Sequence, residues 1–295
     1  MKVLMSNKKI ESIIDQESGI VKVATGFVFL EGPVWNAKEK KLVFSDIRGD
    51  CMYQWSADRG VEIYRKPSSK ANGNAYDTEG RLVTCEHATS HLVREEHNGE
   101  LTILADTYQG KELNSPNDVI VSPDGNIYFS DPPLGRGAKY GVERERELDF
   151  QGVYRVDPQT GETILLDKDF EVPNGLCLSL DGKHLFVNDT PRMLVRVFDI
   201  LPNGDIKNGR DWVIVNGEGE GKPDGMKIDS QGNLYTCGPG GIHIFDPDAK
   251  PLGFIPVPQK TANFNWGGDD LCDLFITAQD SIYKIRTLIP GRKNI

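Results

Sequence analysis

The chain has 295 residues with a net charge of −10, 38% hydrophobic residues, 31 glycines and 17 prolines. This balance excludes a disordered chain and fits a soluble, turn-rich globular protein. The acidic excess argues against a nucleic-acid surface, which needs clustered Lys and Arg, and no apolar run approaches the roughly 20 residues that cross a bilayer.

The first residues, MKVLMSNKKIESIIDQES, lack the apolar core of a secretory signal. The five cysteines (Cys51, Cys85, Cys177, Cys237 and Cys272) are scattered singly with no CxxC pair. Thiolate metal sites and redox motifs therefore find no support, and buried free thiols are expected. Both features make the cytoplasm the expected compartment. Residues 1–18 read as an extension of a single domain, 1–295, and IVKVATGF (20–27) as a strand without a hairpin of its own.

From there the chain repeats. Six turn-plus-return units follow: NAKEKKLVFSD (36–46), DTEGRLVTCE (77–86), SPDGNIYFSD (122–131), SLDGKHLFVND (179–189), DSQGNLYTCG (229–238) and DDLCDLFITAQ (269–279). Alternating apolar residues around such turns form β-hairpins. Each unit is followed by a third alternating segment, and five by a fourth; the sixth runs out of chain. Six repeats of four antiparallel strands, the last completed by segment 20–27, predict an all-β, six-bladed β-propeller. An open sandwich would share the strand spacing but explain neither the six-fold register nor the spare strand.

One insertion breaks the rhythm. Residues 132–151 are charged and Gly-rich where other blades have a short turn. A blade's second strand returns to the edge where its first began, so this segment is expected over that mouth as a lid.

A polar residue recurs eight positions before each hairpin turn position. Gly80 leads back to Asn72, Gly125 to Asn117, Gly182 to Asn174 and Gly232 to Asp224; in the first repeat Glu39 leads to Glu31. Asn263 or Asn265 holds the comparable place in the sixth. First strands line a propeller's channel, so these positions converge on the axis. As N-G and D-G turn formers, the strings would be explained singly but not in their shared register. Glu31, Asn117, Asn174 and Asp224 would together offer four oxygen donors, two of them charged, suited to a hard divalent cation and leaving coordination positions for water and substrate.

LEGPVW, SPNDVIVSPDGNIYFSDPP, VPNGL and KPDGMKIDSQGNLY resemble the gluconolactonase family, which includes regucalcin and luciferin-regenerating enzyme. The similarity runs from about Gly26 to Arg286 and is nearest the bacterial gluconolactonase branch. It implies a six-bladed propeller holding one catalytic divalent cation, commonly Ca²⁺, with Zn²⁺, Mn²⁺ or Mg²⁺ also used. The family's Glu, Asn and Asp ligands fall on Glu31, Asn174 and Asp224; Asn117 matches a further Asn that contacts the metal or its water. Animal members carry Arg two residues before that Asn, where this chain has Ser115.

The expected activity is metal-dependent hydrolysis of a lactone, a sugar lactone such as gluconolactone above all, with Asp224 as base and Glu31 as the firmer ligand. Asn72, His87, Asp131, Arg136 and Tyr140 are the expected substrate contacts. Asp46, Glu86 and Asp189 end second strands at the same mouth as Asp131. A phosphotriesterase-like hydrolase on the same site, or a non-catalytic calcium-binding propeller, are the alternatives. GxSxG, GxGxxG and Walker motifs are absent. The expected partner is a small-molecule lactone, with no nucleic acid and no membrane.

Overall fold

The computed structural model describes residues 10–292. Among them, six four-stranded antiparallel sheets follow one another along the chain. Blade I covers residues 30–65, blade II 71–105, blade III 119–167, blade IV 173–214, blade V 226–256 and blade VI 261–286. Blade VI takes its fourth strand from Val21–Thr25, which lies antiparallel to Ser281–Arg286 with Val21 opposite Lys284 and Thr25 opposite Ser281. The six-bladed propeller and its closure by the N-terminal strand are thus as the repeats predict.

The period of two explains why the sheets must stack. Along Ile127–Asp131, Phe129 packs toward blade II while its neighbour Tyr128 packs toward blade IV. Both faces of the sheet are apolar and both need a neighbour. Six apolar clusters result, each bridging two adjacent blades. The cluster between blades I and VI, including Leu30, Phe44, Phe275 and Ile282, closes the ring.

Local turn chemistry sets the register. Gly80, Gly125, Gly182 and Gly232, from which the polar register is counted, all have φ between +68° and +86°, a conformation open to glycine without a Cβ penalty. Two details go beyond the predicted elements. The extension contributes Ile10, Ile13 and Ile14 to the cluster between blades V and VI, while residues 1–9 lie outside the described residues. A small hairpin, Thr107–Tyr108 with Lys111–Glu112, stands between blades II and III. All five cysteines are buried and free. No helix among the described residues is long and apolar enough to cross a membrane.

Phe129 is fully buried and stacked on Tyr154, ring centroids 5.3 Å apart. Phe129→Ala is expected to cost about 3–5 kcal/mol, lost transfer energy plus a cavity, measured by denaturant unfolding.

Candidate metal centre at the channel mouth

The polar residues of the register sit where the inner ladders break. Register shifts fall between Glu31 and Val34, Ala71 and Asn74, Pro173 and Leu176, and Thr261 and Asn263. In blades III and V the inner strand begins only after Asn117 and Asp224, at Val119 and Met226. Such a break frees a side chain from the pleat and re-aims it. The following glycine answers a different need from a turn. A Cβ on Gly32 would lie 1.9 Å from Asn72 O, on Gly73 2.6 Å from Asn117 O, and on Gly175 2.0 Å from Asp224 O. The next blade's inner strand passes against each of these positions. Only glycine lets neighbouring strands approach so closely.

A belt of amides ties the convergent side chains together. Asn72 Nδ2 donates to Asn117 Oδ1 (2.8 Å), Asn117 Nδ2 to Asn174 Oδ1 (2.6 Å), and Asn174 Nδ2 to Thr190 Oγ1 (3.1 Å), whose hydroxyl donates to Pro223 O (2.8 Å). The belt fixes which end of each amide carries oxygen. The Oδ1 atoms of Asn117 and Asn174 each accept one hydrogen bond from this belt and keep a second lone pair for another partner. Asn263 occupies the mouth position in blade VI, against Glu31 and Asp118; Asn265 lies farther down the channel.

The carboxylates are crowded and under-neutralised. Burial, and after it the Asp118 charge, raise the Glu31 pKa against the pull of the Gly32 amide, which donates to Glu31 Oε2 at 3.0 Å. Burial and then the Glu31 charge hold Asp224 well above the usual carboxylate range. Glu31 is buried and Asp224 half-buried. Asp118 stands where four repeats have glycine. Its Oδ2 is buried without a hydrogen bond, with Lys227 Nζ 4.0 Å away. Neither Glu31 nor Asp224 forms an ion pair with Lys or Arg among the described residues. Buried carboxylates so placed call for a cation, and the donors are all hard oxygens. No point among the described residues is ringed by three or more His, Cys, Asp or Glu, so an ion here needs amide oxygens as well.

Three aspartates brace the strands of Glu31, Asn117 and Asn174 from behind. Asp46 accepts from Val28 N (3.0 Å) and Phe29 N (2.9 Å), just ahead of Glu31. Asp131 accepts from Asn114 N (2.8 Å) and Ser115 N (2.7 Å), ahead of Asn117. Asp189 accepts from Glu171 N (2.8 Å) and Val172 N (3.1 Å), ahead of Asn174. Blade II lacks this clamp, since Glu86 pairs with Arg65 (3.0 Å) and Thr89 (2.8 Å). Asp131, expected at the substrate, is fully buried and committed to two backbone amides; burial pushes its carboxyl up to about 7 despite them. Removing the clamp with Asp131→Ala is expected to cost about 2–4 kcal/mol, two unsatisfied buried amides, and to weaken cation binding; thermal unfolding and titration calorimetry read the two effects.

The model of the SMP-30/Gluconolactonase/LRE-like region matches residues 29–280. The chain belongs to this family. It is 32% identical to a gluconolactonase of Zymomonas mobilis, over 97% of this chain and 86% of that one. It is 23% identical to a pentonolactonase of Haloferax volcanii, over 84% and 80%. The solved structure of a gluconolactonase from Xanthomonas campestris superposes with a TM-score of 0.89 at 30% identity, covering 97% and 95% of the two chains.

Within the family, the insertion accounts for Ser115. Residues 132–151 fold back over blades I to III: a Cβ on Gly135 would lie 2.7 Å from the side chains of both His87 and Ser115, and the Tyr140 ring packs 5.2 Å from Phe29. A long side chain at 115 would collide with this segment. Arg136, expected to meet a sugar hydroxyl, is buried and holds the segment instead. It donates to Asn114 O (2.6 Å), Leu113 O, Glu145 O (3.0 Å) and Glu112 Oε2 (2.9 Å). Glu112 comes from the unanticipated small hairpin and also binds Arg144 at 3.3 Å. His87 is likewise enclosed. Its Nδ1 lies 3.0 Å from Tyr140 O, an obligate acceptor, so Nδ1 carries the proton and Nε2 accepts from Asn72 Nδ2 at 3.1 Å.

Sequence reasoning passed over Asp118, Lys227 and Thr190. Only Asp118 carried a signal, as the one acidic residue at a position where other repeats have glycine.

Burial pushes the His87 pKa down to about 4 from an ordinary 6.5. Above pH 6.5 both folded and unfolded states hold it neutral. As pH falls from 6.5 toward 4 the unfolded chain alone takes up the proton, so this residue's contribution to stability is lost there, by about 3 kcal/mol in all. The difference between wild-type and His87→Gln unfolding free energies across pH 4–7 is expected to follow that curve.

Proposed function

We propose that this chain hydrolyses lactones, sugar lactones foremost, with Glu31, Asn117, Asn174 and Asp224 holding one divalent cation, Ca²⁺ by its donor chemistry. The reading rests on one observation: the buried Glu31 of blade I and the half-buried Asp224 of blade V, unpaired by any Lys or Arg among the described residues, face each other beside a belt of oriented amide oxygens. The family's named gluconolactonase and pentonolactonase members support the substrate class. When bound, the cation supplies polarisation of the ester carbonyl and acidification of water.

The chain's own residues do the rest. Asp224 is the most exposed of the four donors, and burial followed by the neighbouring Glu31 charge raises its basicity, so it receives the proton of the attacking water. The water oxygen bonds to the carbonyl carbon, the ring C–O bond breaks, and the proton passes to the departing ring oxygen, giving a hydroxy acid. Asn188 donates to Asp224 O and holds that backbone in place. Glu31, deeper and bonded to Gly32 N, is the fixed ligand. The segment 132–151, pinned through Arg136 and Arg144, serves as a standing wall of the mouth, and Tyr140 is the residue on it best placed to meet substrate.

The decisive experiment is a pH-indicator screen of aldonolactones, aliphatic lactones and a phosphotriester, on protein stripped by chelator and then resupplied with Ca²⁺, Mg²⁺, Mn²⁺ or Zn²⁺. Lactone turnover that disappears on stripping and returns with metal is expected; a preference for the phosphotriester, or turnover indifferent to chelator, overturns the reading. Asp224→Asn is expected to lower kcat by about 100-fold or more, and Glu31→Gln to abolish cation binding by calorimetry. Since both carboxyls are raised without a cation, cation affinity is expected to fall as pH drops below neutrality, because binding must displace protons.

A further inference from the structure

The channel has a second chamber. Beyond the ring of polar residues, a cavity of about 100 Å³ is lined by Lys227, Arg292, Asn265, Val121, Leu178 and Trp266 among others. These residues lie two to four positions farther along the inner strands than the mouth residues of their blades, with Arg292 brought in by the bridge of Gly291 to Asp229. At about 3.3 Å per strand residue the chamber is roughly 7–13 Å below the ligand carboxylates, toward the opposite face of the ring.

Its chemistry is the reverse of the mouth. No carboxylate lines it. Asn265 is 7% exposed, yet its amide has no hydrogen-bond partner among the described residues. Its polar atoms open into the cavity and can bond what enters it. Arg292 Nη1 donates to Leu178 O (3.2 Å) and Ser179 O (3.1 Å), while its Nε and Nη2 have no acceptor, and the guanidinium no ion pair, among the described residues. Lys227 Nζ donates to Met226 O (3.3 Å) and is 4.0 Å from Asp118 Oδ2, so its charge is shared between Asp118 and the chamber.

The geometry points to a binding site for a small monocarboxylate with a short apolar body, its carboxylate held by Arg292 and Asn265 with Lys227 alongside, and its hydrocarbon against Val121, Leu178 and Trp266. A cavity of about 150 Å³ takes benzene, so this one suits about four to six heavy atoms. The apolar walls disfavour a polyhydroxy acid, whose hydroxyls would go unpaired. The site is therefore separate from the lactone centre and does not depend on it.

The test is calorimetric titration of the full, cation-loaded chain with butyrate and with its neutral isostere butyramide. Butyrate is expected to bind at least about tenfold more tightly, the worth of charge-assisted hydrogen bonds over neutral ones. Arg292→Gln is expected to erase that preference, and Ala75→Leu, at another residue of the chamber wall, to narrow the chamber while leaving both cations and so abolish binding of either. Glu31→Gln is expected to retain butyrate binding, which separates this site from carboxylate capture by a cation at the mouth. Equal binding of the two ligands, no butyrate binding in the millimolar range, a preference that survives Arg292→Gln, or loss of binding in Glu31→Gln overturns the proposal.

Discussion

Each of the six blades is apolar on both faces, and that constraint governs the rest. A sheet with two sticky faces cannot end a stack, so the stack must bend round until the last blade meets the first. The cluster joining Leu30 and Phe44 to Phe275 and Ile282 is that meeting. Pairing of Val21–Thr25 with Ser281–Arg286 adds a backbone ladder to the closure, so the ends of the chain are held in one sheet. Closure in turn forces six inner strands toward a common axis, where there is little room for side chains.

The crowding at the axis produces the site. Where adjacent inner strands come nearest, Gly32, Gly73 and Gly175 leave no Cβ to obstruct the neighbour's carbonyl, and the broken ladders turn the preceding polar side chains inward. Three aspartates hold the approaching backbone rigid just ahead of Glu31, Asn117 and Asn174. Rigidity of this kind matters because a donor set for an ion must be preorganised by groups that the ion does not itself touch. Charge follows the same division of labour: Lys227 sits by Asp118, while Glu31 and Asp224 are left facing each other.

The insertion after blade III's second strand changes who can enter. By packing Gly135 between His87 and Ser115 and pinning itself through Arg136, it fills the space that a long side chain at position 115 would use. The same segment reaches the amide belt: Tyr140 O sets the His87 tautomer, His87 accepts from Asn72, and Asn72 donates to Asn117. A segment that reads in sequence as a solvated excursion is therefore wired to the amides of the centre.

Periodic features were legible in the sequence because their causes are local. Strand alternation, hairpin turns that need a left-handed glycine, and a polar residue at a fixed distance from each turn all act within a dozen residues, so blade number, ring closure and the identities of Glu31, Asn117, Asn174 and Asp224 as convergent residues could be read there. What those residues touch is a matter between blades. The glycines after Glu31, Asn174 and Asp224 are clearances for the inner strand of the next blade, which no spacing rule announces; Arg136 and Asp131 looked like substrate contacts and are spent largely on backbone groups that only the closed ring brings beside them. Tertiary structure alone decided this, since burial and hydrogen-bond partners depend on which surfaces meet, and no spacing along one strand encodes its neighbour across the axis.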